Sequence, residues 1–225
     1  MREGPLFYYI TDRLAFPGDD RTRRFHLLDK ITEAVSHSVD YIQLREKDLS
    51  SHELEGLARE AVHIIREMKS QNRALRTALL INSRADVALV TGADVHLRSD
   101  DISPEDVRTA WKLGSSHEGD FARENPDPII AVSCHSAGEV AQAAATQATF
   151  AVFAPVFEKK TAPNNAPSGL EALRQACGAE IPVLALGGLT IENAASCLQA
   201  GAAGIAAIRL FQENDIATVV QALRR

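Results

Sequence analysis

Short β-rich apolar runs alternate with amphipathic stretches along this chain from one end to the other. Side chains that alternate between two faces read as a strand, and apolar residues three or four apart read as one face of a helix. The strands predicted in this way are Leu6–Thr11, Tyr41–Arg45, Ala78–Asn82, Asp94–Leu97, Ile129–Ser133, Phe150–Ala154, Pro182–Leu186 and Gly204–Ile208. A helical pattern follows each of them. Several helix starts carry side chains suited to the unpaired amides of a first turn. Ser50 with Glu53 and Ser136 with Glu139 have capping-box spacing, Ser103 precedes Pro104, and Thr190 precedes IENAASCL.

Eight strand–helix units in a row imply an α/β fold of one domain over residues 1–225, a closed (β/α)8 TIM barrel. An open doubly wound sheet would ask for a glycine-rich first turn, and TDRLAFPGDDRTRR at residues 11–24 contains no GxGxxG. That segment is expected to be a loop, with Arg21–Arg24 solvated or part of a lid. The polar stretch from Leu113 to Pro128 lies between a helix and the next strand, so in a barrel it is expected on the face away from the site.

Composition narrows the function. A net charge of −6 without any basic block argues against a nucleic-acid partner. No apolar run is long enough to span a membrane, and MREGPLFYYITD lacks the apolar core and cleavage site of a signal peptide. The expectation is a soluble, cytoplasmic protein, and a homo-oligomer is compatible with it. Cys134, Cys177 and Cys197 are odd in number and scattered, which speaks against a disulfide framework and a zinc site.

The richest chemistry follows the second strand, in VDYIQLREKDLS. Gln43, Arg45 and Lys47 are two apart, so they face one side while Leu44 and Glu46 face the other. One amide and two cations converging where an apolar strand meets its loop call for an anionic partner. A phosphate or diphosphate suits a planar arginine fork and a mobile ammonium. The alternative is a surface strand with solvated charges. The active site of a barrel sits at the C-terminal strand ends. There the chain also places Asn82, Ser83, Arg84, His96, Asp100, Asp101, Ser133, His135, Phe157–Thr161, Gly187, Gly188 and Arg209. In LGGLT, glycines let backbone approach a ligand and the following helix offers free amides to a phosphate. Blander roles compete: a core histidine for His96, a packed histidine at the mouth for His135, a pair with Arg84 for Asp86, and a small buried hydrophobe for Cys134.

QLREKDLS, NSRADVAL, GADVHLRSDD, VSCHS, APVF, LALGGLT with its following Glu-Asn pair, and GAAGIA occur in the order found in thiamine phosphate synthases and their thiazole tautomerase relatives. The chain resembles this superfamily from Tyr8 to Phe211, most specifically at QLREKD and at the paired glycines. The resemblance implies a (β/α)8 barrel acting on small phosphate and diphosphate substrates. A synthase couples hydroxymethylpyrimidine diphosphate to hydroxyethylthiazole phosphate and releases diphosphate. It also implies roles. Gln43, Arg45 and Lys47 would hold the pyrimidine diphosphate beside Asn82. Ser133 and His135 would line the pyrimidine end, Thr161 would contact phosphate, and Gly187 and Gly188 would cradle the thiazole phosphate. Mg²⁺ would be the cofactor, with Asp101 matching the second of two metal-binding aspartates. Arg45, Lys47 and His135 would be the catalytic set.

Several positions depart from that pattern. Ser83 stands where the synthases have the first metal-binding aspartate, Arg98 replaces a glycine, Ala162 replaces a phosphate-loop lysine with Lys159 and Lys160 nearby, and Arg209 follows the last strand where a serine is expected. Three readings follow: a synthase with altered magnesium dependence, a thiazole tautomerase using His135 as acid and base, and a non-catalytic thiazole-phosphate binder. Intact QLREKD favours the first, because a tautomerase has no diphosphate to hold.

Overall fold

The computed structural model describes residues 4–114, 127–158 and 166–224. Eight parallel strands close into a barrel in sequence order: β1 (Leu6–Ile10), β2 (Tyr41–Leu44), β3 (Ala78–Asn82), β4 (Asp94–Leu97), β5 (Ile130–Cys134), β6 (Phe150–Phe153), β7 (Val183–Leu186) and β8 (Gly204–Ala207). The helices outside it are α1 (Asp20–Ser36), α2 (Ser51–Gln71), α3 (Ala85–Thr91), α4 (Pro104–Gly114), α5 (Ala137–Ala145), α6 (Gly169–Ala176), α7 (Ile191–Gln199), α8 (Arg209–Gln212) and α9 (Ile216–Leu223). Among the described residues no helix is long and apolar enough to cross a membrane.

Strand parity separates two cores. Outward residues such as Phe7, Tyr9, Ile42, Leu44, Ile81, Val95, Val132, Cys134 and Phe153 pack under the helices. Inward residues, among them Tyr8, Leu80, Ala131, Phe150, Val152, Leu184 and Ala206, fill the barrel. Low in the barrel, Tyr41 stacks on Phe150 at 4.6 Å and the Tyr8 ring meets both edge-on. Such aromatic contacts add about 0.5–1.5 kcal/mol each beyond simple burial. The barrel is thus a packed core, and a polar layer lies at its C-terminal mouth.

Helix starts follow the capping chemistry, with one difference. Ser50–Glu53 and Thr190–Asn193 close full capping boxes. Ser103 Oγ accepts from the Asp106 amide at 3.2 Å. Ser136 caps Glu139, but the Glu139 carboxylate accepts from the His135 amide at 2.8 Å, one residue before the cap, so that box is half formed. The expected loop at 11–24 is also shorter than read. Asp19 accepts from the Thr22 amide and starts α1, so Arg21–Arg24 are helical, and Arg24 pairs with Glu60 at 2.9 Å. Most of the polar 113–128 stretch lies outside the described residues.

Candidate active site

The inward row that is apolar deep in the barrel turns polar at the mouth. Gln43 on β2, Asn82 on β3, His96 on β4 and Ser133 on β5 share the inward parity, and the strand register sets Asn82 opposite His96. Gln43 donates from Nε2 to Asn82 Oδ1 at 3.0 Å. His96 is buried between the Tyr8 hydroxyl, 2.9 Å from Nδ1, and Ser133 Oγ, 2.7 Å from Nε2. Burial, followed by the field of Arg45, pushes its pKa down to about 3, so the ring is neutral. It is therefore a core histidine that orients the Ser133 hydroxyl. The residue patterns expose His96, but they do not reveal its link to Tyr8, which is distant in sequence.

Arg45 and Lys47 lie just past the last residue of β2. Arg45 is half-buried and Lys47 exposed, while Glu46 between them is buried and turned toward β1. Burial thus separates Glu46 from Arg45, and the chain turns at Lys47 and Asp48, both exposed. A second network missed in the sequence holds this loop. The Thr11 hydroxyl donates to Glu46 at 2.5 Å and accepts from the Arg45 amide at 3.0 Å. Glu46 also accepts from the Arg13 amide at 2.9 Å, and the buried Arg13 guanidinium pairs with Asp20 and Asp48 at 2.6 and 2.5 Å. Burial raises the Glu46 carboxyl above its usual range. Lys47 is shifted down, first by Arg45, then by burial and by Arg98, so the fields of these three cations overlap. Clustered like charges of this kind favour an anionic ligand.

The β4–α4 turn gives Asp101 a different partner from the one implied by resemblance. Its carboxylate accepts from the Arg98 amide at 2.8 Å, from Nη2 at 2.9 Å and from Nε at 3.2 Å, and against the effect of burial Arg98 and Ser83 together hold its pKa below the usual carboxylate range. Asp100 lies 3.5 Å from Arg98 Nε. Among the described residues no three His, Cys, Asp or Glu side chains gather as a metal cage. Mg²⁺ takes near-octahedral oxygen ligation, yet this position offers one carboxylate already engaged by a guanidinium. The donor set does not fit a resident divalent ion, and Asp101 serves instead as the anchor of Arg98. Ser83 itself sits in the left-handed region, with φ of 56°.

His135 is exposed beyond β5, with Nδ1 2.7 Å from the Ala154 carbonyl. A carbonyl only accepts, so Nδ1 carries the proton and Nε2 keeps its lone pair in the neutral ring. Cys134 beside it is buried in the outer core, its thiol pushed up to about 12 by burial. Asp86 pairs with Arg84 at 2.6 Å. Gly187 and Gly188 both have positive φ, 106° and 64°. A Cβ there would meet Pro155 at 2.9 Å or the Glu158 carbonyl at 2.5 Å, so the loop after β6, and not only a ligand, demands glycine. Thr161, Ala162, Lys159 and Lys160 lie outside the described residues.

Set against known proteins, residues 7–211 match the thiamine monophosphate synthase family. The chain belongs to that family. It is 35% identical over 213 residues to a putative thiamine-phosphate synthase 2 of Aquifex aeolicus, covering 94% of this chain and 100% of the relative. It is 34% identical to a thiamine-phosphate synthase of Roseiflexus castenholzii over 90% of this chain and 79% of that one. The solved structure of a thiamine phosphate pyrophosphorylase from Pyrococcus furiosus superposes with a TM-score of 0.74 at 26% identity, covering 97% of this chain and 93% of the other.

Proposed function

We propose that this chain is a thiamine-phosphate synthase, a transferase that joins hydroxymethylpyrimidine diphosphate to hydroxyethylthiazole phosphate and releases diphosphate. The reading is supported by the polar mouth formed by Gln43, Asn82 and Ser133, with Arg45 and Lys47 just past β2 and the field of Arg45 acting on both His96 and Lys47. In this reaction the carbon–oxygen bond to diphosphate breaks and its electron pair leaves with the diphosphate. The thiazole nitrogen supplies the pair for the new carbon–nitrogen bond. Arg45 and Lys47 hold the diphosphate and stabilise the charge that develops on it, since donors fixed where charge appears lower the barrier most. Gln43 and Asn82, already bonded to each other, line the same wall. Ser133, held by neutral His96, and His135 address the pyrimidine. Thr161 and the Gly187–Gly188 turn, which leads into the capped start of α7, take the thiazole phosphate. The partners are small phosphate substrates, and a cytoplasmic location suits such a biosynthetic enzyme.

One observation favours a second reading, a thiazole tautomerase: the Nε2 lone pair of His135 is available to move a proton. Two variants assayed on both reactions separate the readings. In a synthase, Arg45→Ala loses far more coupling activity than His135→Asn. In a tautomerase, His135→Asn loses the 10²–10⁴-fold typical of general acid–base catalysis, and coupling is absent throughout.

A further inference from the structure

We propose that Arg98 is a third diphosphate-binding cation, occupying the place a divalent ion would take, and that this site handles its diphosphate without Mg²⁺. The inference rests on the synthase reading for the identity of the ligand.

The geometry is that of a held cation. Asp101 accepts from the Arg98 amide and from Nε and Nη2, which fixes both the turn and the plane of the guanidinium. The carboxylate is mostly buried, with 13% of its side chain exposed, whereas the guanidinium side chain is 59% exposed. The acid is therefore the anchor and the cation the face presented to a ligand. Among the described residues Nη1 has no hydrogen-bond partner, and two such N–H groups suit phosphate oxygens. Arg98 stands near enough to Lys47 to contribute to its downward shift, and Arg45 is the largest contributor. Successive hydrogen bonds link Gln43, Asn82 and Ser83 across the β2 and β3 ends, and the Ser83 side chain acts on the Asp101 carboxylate, so the Arg98–Asp101 pair stands beside the same wall. A Mg²⁺ ion on Asp101 would share its carboxylate with a guanidinium on Oδ1 whose charge opposes it, and Ser83 offers only a neutral hydroxyl.

The leaving step keeps its balance. The electron pair of the carbon–oxygen bond passes to the diphosphate, and side-chain cations alone meet the charge.

The probe is inorganic pyrophosphate, titrated calorimetrically into the full chain in EDTA buffer. Wild type is expected to bind it there, Arg98→Gln to bind at least tenfold more weakly, and Arg98→Lys to recover part of the loss. Thermal melting checks that each variant is folded, which the exposure of Arg98 favours. A Ser83→Asp/Arg98→Gly double variant adds a second carboxylate at a left-handed position that aspartate tolerates well, and it removes the competing cation. It should bind pyrophosphate only when Mg²⁺ is added. The proposal is overturned if wild type binds pyrophosphate only with Mg²⁺, if Arg98→Gln binds like wild type in EDTA, or if the double variant does. If coupling of the two substrates fails under every condition while Arg98-dependent pyrophosphate binding stands, the synthase reading falls and the role of Arg98 remains.

Discussion

At the scale of single residues, the site is a row of inward side chains whose neighbours decide their chemistry. Arg45 and Lys47 are neighbouring cations whose combined field favours an anionic ligand. Replacing either with alanine removes charge-assisted contacts of about 1.5–3 kcal/mol, seen as a tenfold or larger loss in kcat/KM. An Arg45→Ala enzyme with unaltered kinetics would contradict the assignment. His96 makes a different prediction, because its folded pKa is depressed from 6.5 to about 3 by burial. A depressed pKa means that the folded state refuses a proton which the unfolded chain accepts. The contribution of His96 to stability is therefore complete above about pH 6.5 and is lost as the pH falls toward 3, at about 1.4 kcal/mol per unit. Urea denaturation of wild type and His96→Gln across that range should show a flatter profile for the variant. Equal slopes would place the pH dependence elsewhere. The inward place of Gln43 was legible from spacing alone, since parity follows from the strand period. The partners of His96 and Asp101 were not, because they come from other strands or from a turn whose shape no local pattern reveals.

At the scale of elements, the cations are only as well placed as the loops that carry them. The β2 loop is tied to β1 by Thr11, which bonds both the Arg45 amide and the buried Glu46 carboxylate. Thr11→Val should destabilise the fold by about 1–3 kcal/mol, since it leaves a buried acceptor short of a donor. It should also lower turnover by loosening Arg45, with Thr11→Ser restoring both. A stability loss without any kinetic change would make the contact merely structural. On the other side of the barrel, Gly188→Ala forces a side chain into a backbone with φ of 64° and a Cβ within 2.5 Å of the Glu158 carbonyl. Melting temperature should fall and KM for the thiazole phosphate should rise. Normal values for both would remove this turn from the account. Helix starts were readable from Ser, Thr and Glu spacing. The diversion of Glu139 to the His135 amide was not, because a carboxylate one turn away reaches either of two adjacent amides.

At the scale of the whole molecule, the alternation of strands and helices was enough to specify the barrel, because eight parallel units of this size close on themselves more readily than they spread. Strand ends moved by a residue. Thr11 and Arg45 fall just past the strands, where the Thr11 amide bonds the Gln43 carbonyl and the Arg45 amide bonds the Thr11 hydroxyl, each at 3.0 Å, and Cys134 joins β5 by pairing with Phe153 of β6. The barrel's rigidity comes from its interior. Phe150, stacked on Tyr41 and edge-on to Tyr8, anchors the layer beneath the polar mouth. Phe150→Ala should cost about 3–5 kcal/mol, and a loss under 1 kcal/mol in denaturant titration would mean that the interior is not packed as described. What that rigid frame supports is a coupling reaction, and one assay addresses it directly. Purified protein is incubated with hydroxymethylpyrimidine diphosphate and hydroxyethylthiazole phosphate, and thiamine phosphate and released diphosphate are measured together. Both products should appear in equal amounts, and Arg45→Ala should suppress both. Absence of thiamine phosphate from wild-type protein, with or without Mg²⁺, would contradict the synthase reading.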